Sequence, residues 1–368
     1  MDTKSKIVLT FALIFGGLGL LFVFGAQNVG KLRIIACDVG QGDGLLVITP
    51  SGQQVVIDGG PGAKIVDCLG QKMPFWDRTI ELVVLTHSQR DHLEGLIEVL
   101  TRYKVKMIVT TNVKNDTEVF KVWQEAVRNE GARVYEPDVG DQFTVQGLSL
   151  DVLWPQRDLI EQWKVKSPKD LNESSIVMRL SSGQFCTYLT GDIPKEILEK
   201  LIDKPCQVLK IAHHGSKTGT NEQVLDLAKP QIAIIQVGKN SFGHPHREVL
   251  DLLTSKGVKI LRNDTNGIIE IELRSVSKPL RPTLAVVPFK ILRINGLHYG
   301  PEMIFGQLPA KLLGCSGFAS RRGYEDPYLK RYEIFKKFWI IAAWWLSMTC
   351  QSSESNRVKC LSVGINSI

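Results

Sequence analysis

Apolar positions between residues 32 and 273 recur with two periods: short runs of aliphatic and β-branched residues alternate with segments in which they return every three or four positions. The short runs predict strands at residues 45–49, 54–57, 80–85, 105–110 and 148–153, with helices at 93–103 and 118–129 between them. Two further strands, 175–180 and 185–189, flank the hairpin signal Ser-Ser-Gly-Gln. Pro194 predicts the first turn of a helix that runs to residue 204. Strands at 208–211, 231–237, 258–261 and 268–273, with helices at 222–227 and 247–255, complete the alternation. Hairpins mixed with crossover helices predict an α/β fold, a sandwich of two mixed sheets with outer helices.

Two segments fall outside that rhythm. After a short flank, residues 1–6, residues 7–26 form a stretch of 20 residues without a charge. At 1.5 Å per residue this spans roughly 30 Å of hydrocarbon. A cleaved signal peptide is the alternative, but the run exceeds a usual signal core, and a cut after Ala26 would place Phe24 where a small residue is preferred. The expectation is one uncleaved N-terminal transmembrane helix. Lys4 and Lys6 before it are matched by Lys31 and Arg33 after it, so only the free amino terminus tips the orientation to N-inside, with the body extracytoplasmic. Beyond Arg274 the alternation stops, and five prolines between 279 and 309 precede a Trp-rich patch at 338–348 that is too short to cross a bilayer. An interfacial segment, a disordered extension, and a fusion or reading-frame change near residue 275 are the open readings of residues 276–368.

The 368 residues carry 45 Lys+Arg against 38 Asp+Glu, but residues 276–368 alone hold 13 and 5 of these. The body is near neutral, so global charge is no argument for a polyanionic partner. At 43% hydrophobic and 23% charged, the composition excludes a disordered, collagen-like or polytopic membrane protein. Seven cysteines without a CxxC pair predict neither a thiolate metal site nor a disulfide scaffold. The seven histidines differ: six form the close pairs His87/His92, His213/His214 and His244/His246, the spacing a metal site needs.

These pairs sit at predicted strand ends. Thr86-His87-Ser88-Gln89-Arg90-Asp91-His92 can aim two imidazoles and a carboxylate at one point; a capping box of Asp91 with Glu94 is the alternative. Asp192, in Leu189-Thr190-Gly191-Asp192, can bridge two cations or simply cap the next helix. In Lys210-Ile211-Ala212-His213-His214-Gly215-Ser216-Lys217, Gly215 permits close backbone approach, and Ser216 and Lys217 can hold phosphate oxygens. Gly243-His244-Pro245-His246 is a fourth motif ahead of a helix. Asp38 and Asp43, at the ends of Asp38-Val39-Gly40-Gln41-Gly42-Asp43, and Asp58, before Gly59-Gly60, suit the orienting of ligand histidines through their free ring N–H, or plain turn chemistry.

DVGQGDG, VIDGGP, THSQRDH, LTGD, KIAHHGSKT and FGHPH, in that order, resemble the metallo-β-lactamase superfamily, and most closely the soluble domain of ComEC-type DNA-internalisation competence proteins. The resemblance covers residues 32–275 and does not extend to the tail or to a multi-spanning channel region. It implies an αββα metallo-β-lactamase-like hydrolase domain on a single anchor. It further implies that His87, Asp91 and His92 ligate one or two divalent ions, with Asp192 as bridging carboxylate and the His213/His214 pair supplying the last ligand, His214 being the preferred choice and His213 the alternative. Asp58 would support the ligands, and His244 and His246 would lie over the substrate. Two positions depart from the pattern: Gln89 stands where the family has a histidine or an acid, and residues 93–191 contain no histidine, Asn172-Glu173-Ser174 lying about where one would fall. A site of oxygen and imidazole donors then suits Mn2+ as well as Zn2+, or holds one ion firmly and recruits another with substrate.

The implied activity is metal-dependent phosphodiester hydrolysis, on DNA by resemblance alone. Asp91 and Asp192 would act at the metal, His244 or His246 would protonate the leaving oxygen, and Lys217 would offset substrate charge. A separate DNA-uptake channel protein is the implied partner at the membrane. The alternatives are another ester, such as a phosphorylated envelope component, a lactone or a β-lactam, and a binding module that has lost catalysis.

Overall fold

A computed structural model describes residues 30–274 and 289–293, together with scattered positions before residue 20. The expected anchor lies largely outside the described residues, and the Trp-rich patch with Cys315, Cys350 and Cys360 lies wholly outside them. Among the described residues no helix is long and apolar enough to cross a membrane.

The first sheet begins with β1 (Lys31–Ala36), β2 (Leu45–Ile48) and β3 (Gln54–Ile57), an antiparallel meander. To it β4 (Thr79–Leu85), β5 (Lys104–Thr110) and β6 (Arg133–Tyr135) add in parallel. The crossovers are α1 (Lys64–Lys72), α2 (Arg90–Arg102) and α3 (Glu118–Glu130). The second sheet opens antiparallel with β7 (Gln142–Val145), β8 (Leu148–Trp154), β9 (Val177–Ser182) and β10 (Phe185–Leu189), α4 (Arg157–Val165) lying between β8 and β9. It continues in parallel through β11 (Val208–Lys210), β12 (Ile232–Ile235) and β13 (Lys259–Arg262), linked by α5 (Lys195–Leu201), α6 (Glu222–Ala228) and α7 (Arg247–Ser255).

The chain then returns to the first sheet. β14 (Ile269–Arg274) pairs antiparallel with β1, from Lys31 opposite Arg274 to Ala36 opposite Ile269. A further strand, β15 (Phe289–Arg293), pairs with β14, so the sheet runs on past residue 275, where the regular pattern of the sequence stops.

Three apolar layers hold this arrangement. Ile34, Val47 and Val84 of the first sheet pack against Leu150, Met178 and Ile234 of the second. Leu96, Phe120 and Trp123 of α2 and α3 cover the outer face of the first sheet, and Leu198, Leu225 and Leu253 cover that of the second. Covered on both faces, β4 reads as the nearly continuous apolar run Leu82-Val83-Val84-Leu85 rather than as an alternation.

The cysteine expectation is corrected: Cys37–Cys68 and Cys186–Cys206 are disulfides, with Cα atoms 5.9 and 5.0 Å apart. Their partners lie 31 and 20 residues apart in the chain and meet only because β1 packs on α1 and β10 lies beside the approach to β11, which no local spacing announces. The capping box is corrected too. Helix α2 begins at Arg90, three residues earlier than its apolar pattern predicts, behind an extended Gln89 with no side-chain cap. Glu94 binds Arg90 and the Gly62 N–H instead, which leaves Asp91 free to face inward.

Candidate metal centre

Four strand ends deliver the site: β3 turns through Asp58, β4 leads into His87, β10 into Asp192, and β11 into His213 and His214. Asp58, His213 and His214 hold left-handed backbone at φ 56°, 53° and 54°, a conformation that costs of order 1–3 kcal/mol per non-glycine residue and persists where the surroundings fix it. Gly215, at φ 81°, sits so close to Pro245 that a Cβ there would lie 2.5 Å from that ring. The His246 N–H donates to the Gly215 carbonyl at 2.9 Å. The two histidine-bearing loops are thereby drawn together.

Asp91, His92, Asp192 and His214 each offer one donor atom within 4.8 Å of the others. His92 Nε2 and His214 Nε2 stand 3.2 and 3.3 Å from Asp192 Oδ2, and His214 Nε2 stands 3.3 Å from Asp91 Oδ2. His92, Asp192 and His214 are buried, yet both Nε2 atoms and both Asp192 oxygens lack a hydrogen-bond partner, as does His87 Nε2. Unpaired buried polar atoms are costly and ask for an explanation. Two imidazole nitrogens with two carboxylates are the donor set of a borderline divalent cation, and the residues fit such an ion.

A surrounding layer fixes the rings. His92 Nδ1 donates to Asp58 Oδ2 at 2.8 Å, and Asp58 accepts from the Thr86 N–H and hydroxyl at 2.8 and 2.7 Å. His214 Nδ1 donates to the Gln236 carbonyl at 2.8 Å, with Asp43 Oδ1 at 3.3 Å. Both Nε2 atoms are thus turned to the centre. Lys210 is buried beneath, its ammonium against Asp43 Oδ2, 2.7 Å from the Gly191 carbonyl and 3.7 Å from Asp192 Oδ1.

The acids set the protonation of their neighbours. Burial alone would lower His92 and His214, but the Asp192 charge beside both, joined by Asp58 for His92, raises them well above the ordinary histidine value. His87 lacks so close a partner, and burial with the His92 charge pushes it down to about 3. Burial would raise Asp91, but its contact with His214 and the His92 charge hold it at about 2. Asp192 follows the same balance, His214 and His92 overcoming burial.

The centre opens on a cleft of about 640 Å³ lined by Gln89, Asp91, Asn172, His213, His214, Phe242 and His244 among others. Of the expected ligands, His87 lies outside the four-donor group, its ring 4.2 Å from that of His92. His213 faces the cleft, with Nδ1 3.3 Å from the Thr218 hydroxyl and 3.5 Å from Asn172 Nδ2. Gln89 and Asn172 line the cleft as neutral amides.

Several expected roles change. His244 lines the cleft, and burial with the charges of His213 and His214 lowers it to about 4, so its ring is neutral near pH 7. His246 takes the Lys217 N–H on Nδ1 at 3.3 Å. Ser216 is buried with its hydroxyl 2.9 Å from that of Thr218, so it is not presented to a substrate oxygen, whereas Lys217 is exposed. Asp38 is exposed and touches none of the cluster; the orienting role expected of it falls to Asp43 and Asp58. Sequence reasoning passed over Lys210 and Gln236, and the one available signal was a lysine interrupting the apolar run Val208-Leu209-Lys210-Ile211 ahead of a histidine pair.

Residues 53–215 match the family described as Beta-lactamase superfamily domain. The chain is 30% identical over 295 residues to ComE operon protein 3 of Bacillus subtilis (strain 168), covering 74% of this chain and 37% of that protein. It is 28% identical over 243 residues to Recombination protein 2 of Haemophilus influenzae, covering 63% and 28%. The chain therefore spans 37% and 28% of the length of these two relatives. The crystal structure of the metallo-beta-lactamase fold protein YhfI from Bacillus subtilis aligns at a TM-score of 0.46 and 12% identity, over 66% of this chain and 99% of that one. Over residues 53–215 this chain therefore carries a metallo-β-lactamase superfamily domain.

Proposed function

We propose that this domain is a metal-dependent phosphodiesterase that cuts DNA in competence-type uptake, held at a membrane by residues 7–26 with its body on the extracytoplasmic side. The convergence of Asp91, His92, Asp192 and His214 at the floor of an open cleft carries this reading. A divalent ion there, Zn2+ or Mn2+, supplies a lowered water pKa and positive charge for a phosphoryl centre. The protein's own groups do the rest. Asp58 and the Gln236 carbonyl fix the two imidazoles, His244 lines the cleft beside the centre, and exposed Lys217 offers a point charge to flanking phosphates. Two disulfides in the body support an oxidising, extracytoplasmic location. DNA as substrate, and a separate channel protein as partner, are supported by the motif resemblance to DNA-internalisation proteins.

The test is hydrolysis of end-labelled single- and double-stranded DNA by the full chain in detergent, under Mn2+ and then Zn2+, with Asp192→Asn alongside. The expected result is cleavage that needs metal and is abolished in the variant. Gln89 and Asn172, neutral amides where further ligands would stand, favour a second reading, a binding module without catalysis. That reading predicts DNA retained without cleavage and indifferent to Asp192→Asn. Cleavage confined to other esters in a substrate panel would keep the hydrolase and remove DNA.

A further inference from the structure

Lys210 is 2% exposed, and a lysine so deeply placed needs acidic partners. It has them in a particular order. Oδ2 of Asp192 faces the Nε2 atoms of His92 and His214 at 3.2 and 3.3 Å, while Oδ1 faces the Lys210 ammonium at 3.7 Å. The same ammonium donates to the Gly191 carbonyl at 2.7 Å and lies against Asp43 Oδ2. The Gly191 carbonyl and Asp43 Oδ2 thus take two of its protons, and Asp192 Oδ1 pairs with its charge at longer range. The one other buried Lys or Arg among the described residues, Arg33, is bound to Glu270 in the β1–β14 pair, away from this cluster.

Charge makes the same point. Asp43, Asp58, Asp91 and Asp192 bring four carboxylates into or beside the centre. With imidazoles neutral when they ligate, one divalent ion and Lys210 together leave a single net negative charge. A second ion would find His87 Nε2 and the amides of Gln89 and Asn172, but no carboxylate of its own.

We propose that Lys210 is a resident cation standing in for a second metal ion: it occupies the Oδ1 side of Asp192 and holds Asp43 and Asp192 in place before metal arrives, so that the centre takes one ion. The inference rests on the metal centre and is independent of DNA as substrate. Lys210 acts as a positioning residue, through Asp192 and Asp43.

The experiment reads metal binding. Mn2+ and Zn2+ are titrated calorimetrically into the full chain in detergent, bound metal is counted by elemental analysis after gel filtration, and melting is followed with and without metal, for the wild-type chain, Lys210→Met and Lys210→Gln. The wild-type chain is expected to hold one tight ion. Either variant is expected to melt lower without metal, to gain more from metal, and to bind the first ion about tenfold more tightly, because a neighbouring positive charge has gone. Detection of a second ion in the variants would add support. A lysine that merely fills space predicts the opposite, unchanged or weaker binding with equal melting losses in both states, and that result would overturn the inference. If neither variant folds, the wild-type stoichiometry decides, since two ions of comparable affinity beside an intact Lys210 would overturn the inference alone. No bound ion would overturn it together with the metal centre.

Discussion

Gly95 rides directly on Gly59: a Cβ added to Gly95 would lie 2.0 Å from the Gly59 carbonyl oxygen. Helix α2 therefore meets the Asp58 turn backbone to backbone, and the Gly59 N–H donates to the His92 carbonyl at 2.7 Å, the Gly95 N–H to that of Gly60 at 2.8 Å. Because the obstructing atom belongs to backbone, Gly95→Ala is expected to cost about 3 kcal/mol in urea unfolding. It should also weaken metal binding by displacing His92. A change within about 0.5 kcal/mol would show that the turn yields freely.

Asp58 turns the His92 ring toward the centre. Asp58→Asn removes the carboxylate that accepts from Nδ1 but leaves an oxygen for the Thr86 N–H. Calorimetry is expected to show metal affinity reduced by about 10- to 100-fold with the fold retained. Unaltered affinity would mean that the ring is held by packing alone.

Away from the metal, Glu270 lies between Arg33 at 2.6 Å and Lys72 at 2.8 Å. Burial would raise its carboxyl, but the two cations bring it below the ordinary glutamate value of 4.5. A carboxyl depressed in the folded state stabilises the protein above its unfolded value and ceases to do so as pH falls through its folded value. Stability should therefore fall away on acidification below about pH 4.5. In Glu270→Gln the acid limb should flatten and stability at pH 7 should drop by about 3 kcal/mol. An acid limb identical in both proteins would place the titrating group elsewhere.

Thiol counting tests the covalent cross-links. With Cys37–Cys68 and Cys186–Cys206 formed, the unfolded but unreduced chain of seven cysteines exposes at most three thiols. Cys68→Ser should cost about 3 kcal/mol, the loop it opens spanning 31 residues. Seven reactive thiols before reduction would contradict both bonds.

What the sequence made legible follows from burial. Strand Gln54–Ile57 and helix Arg247–Ser255 agree with the apolar pattern residue for residue, since each has a well-defined apolar face or run. Helices α1 and α4 passed unread: α1 buries Ile65, Cys68 and Leu69, and α4 buries only Ile160, too little for a readable period. β6 and β7, at the sheet margins, have three and four residues. In the site, the histidine-rich strand ends stood out by composition. That His214 rather than His213 faces the acids depends on two consecutive left-handed residues, and Lys210 becomes buried only when Asp43, from the other sheet, closes over it. Neither relation is local, so neither has a spacing to read.

The pairing of β15 with β14 also bears on how the domain behaves when shortened. A chain cut at residue 275 would keep β14 on β1 but strip the partner from its outer side, leaving a row of bare amides and carbonyls. Such a margin is a template for strand addition between molecules. Residues 289–293 serve the sheet as a selvedge, and self-association of a truncated domain would report their loss rather than any native assembly.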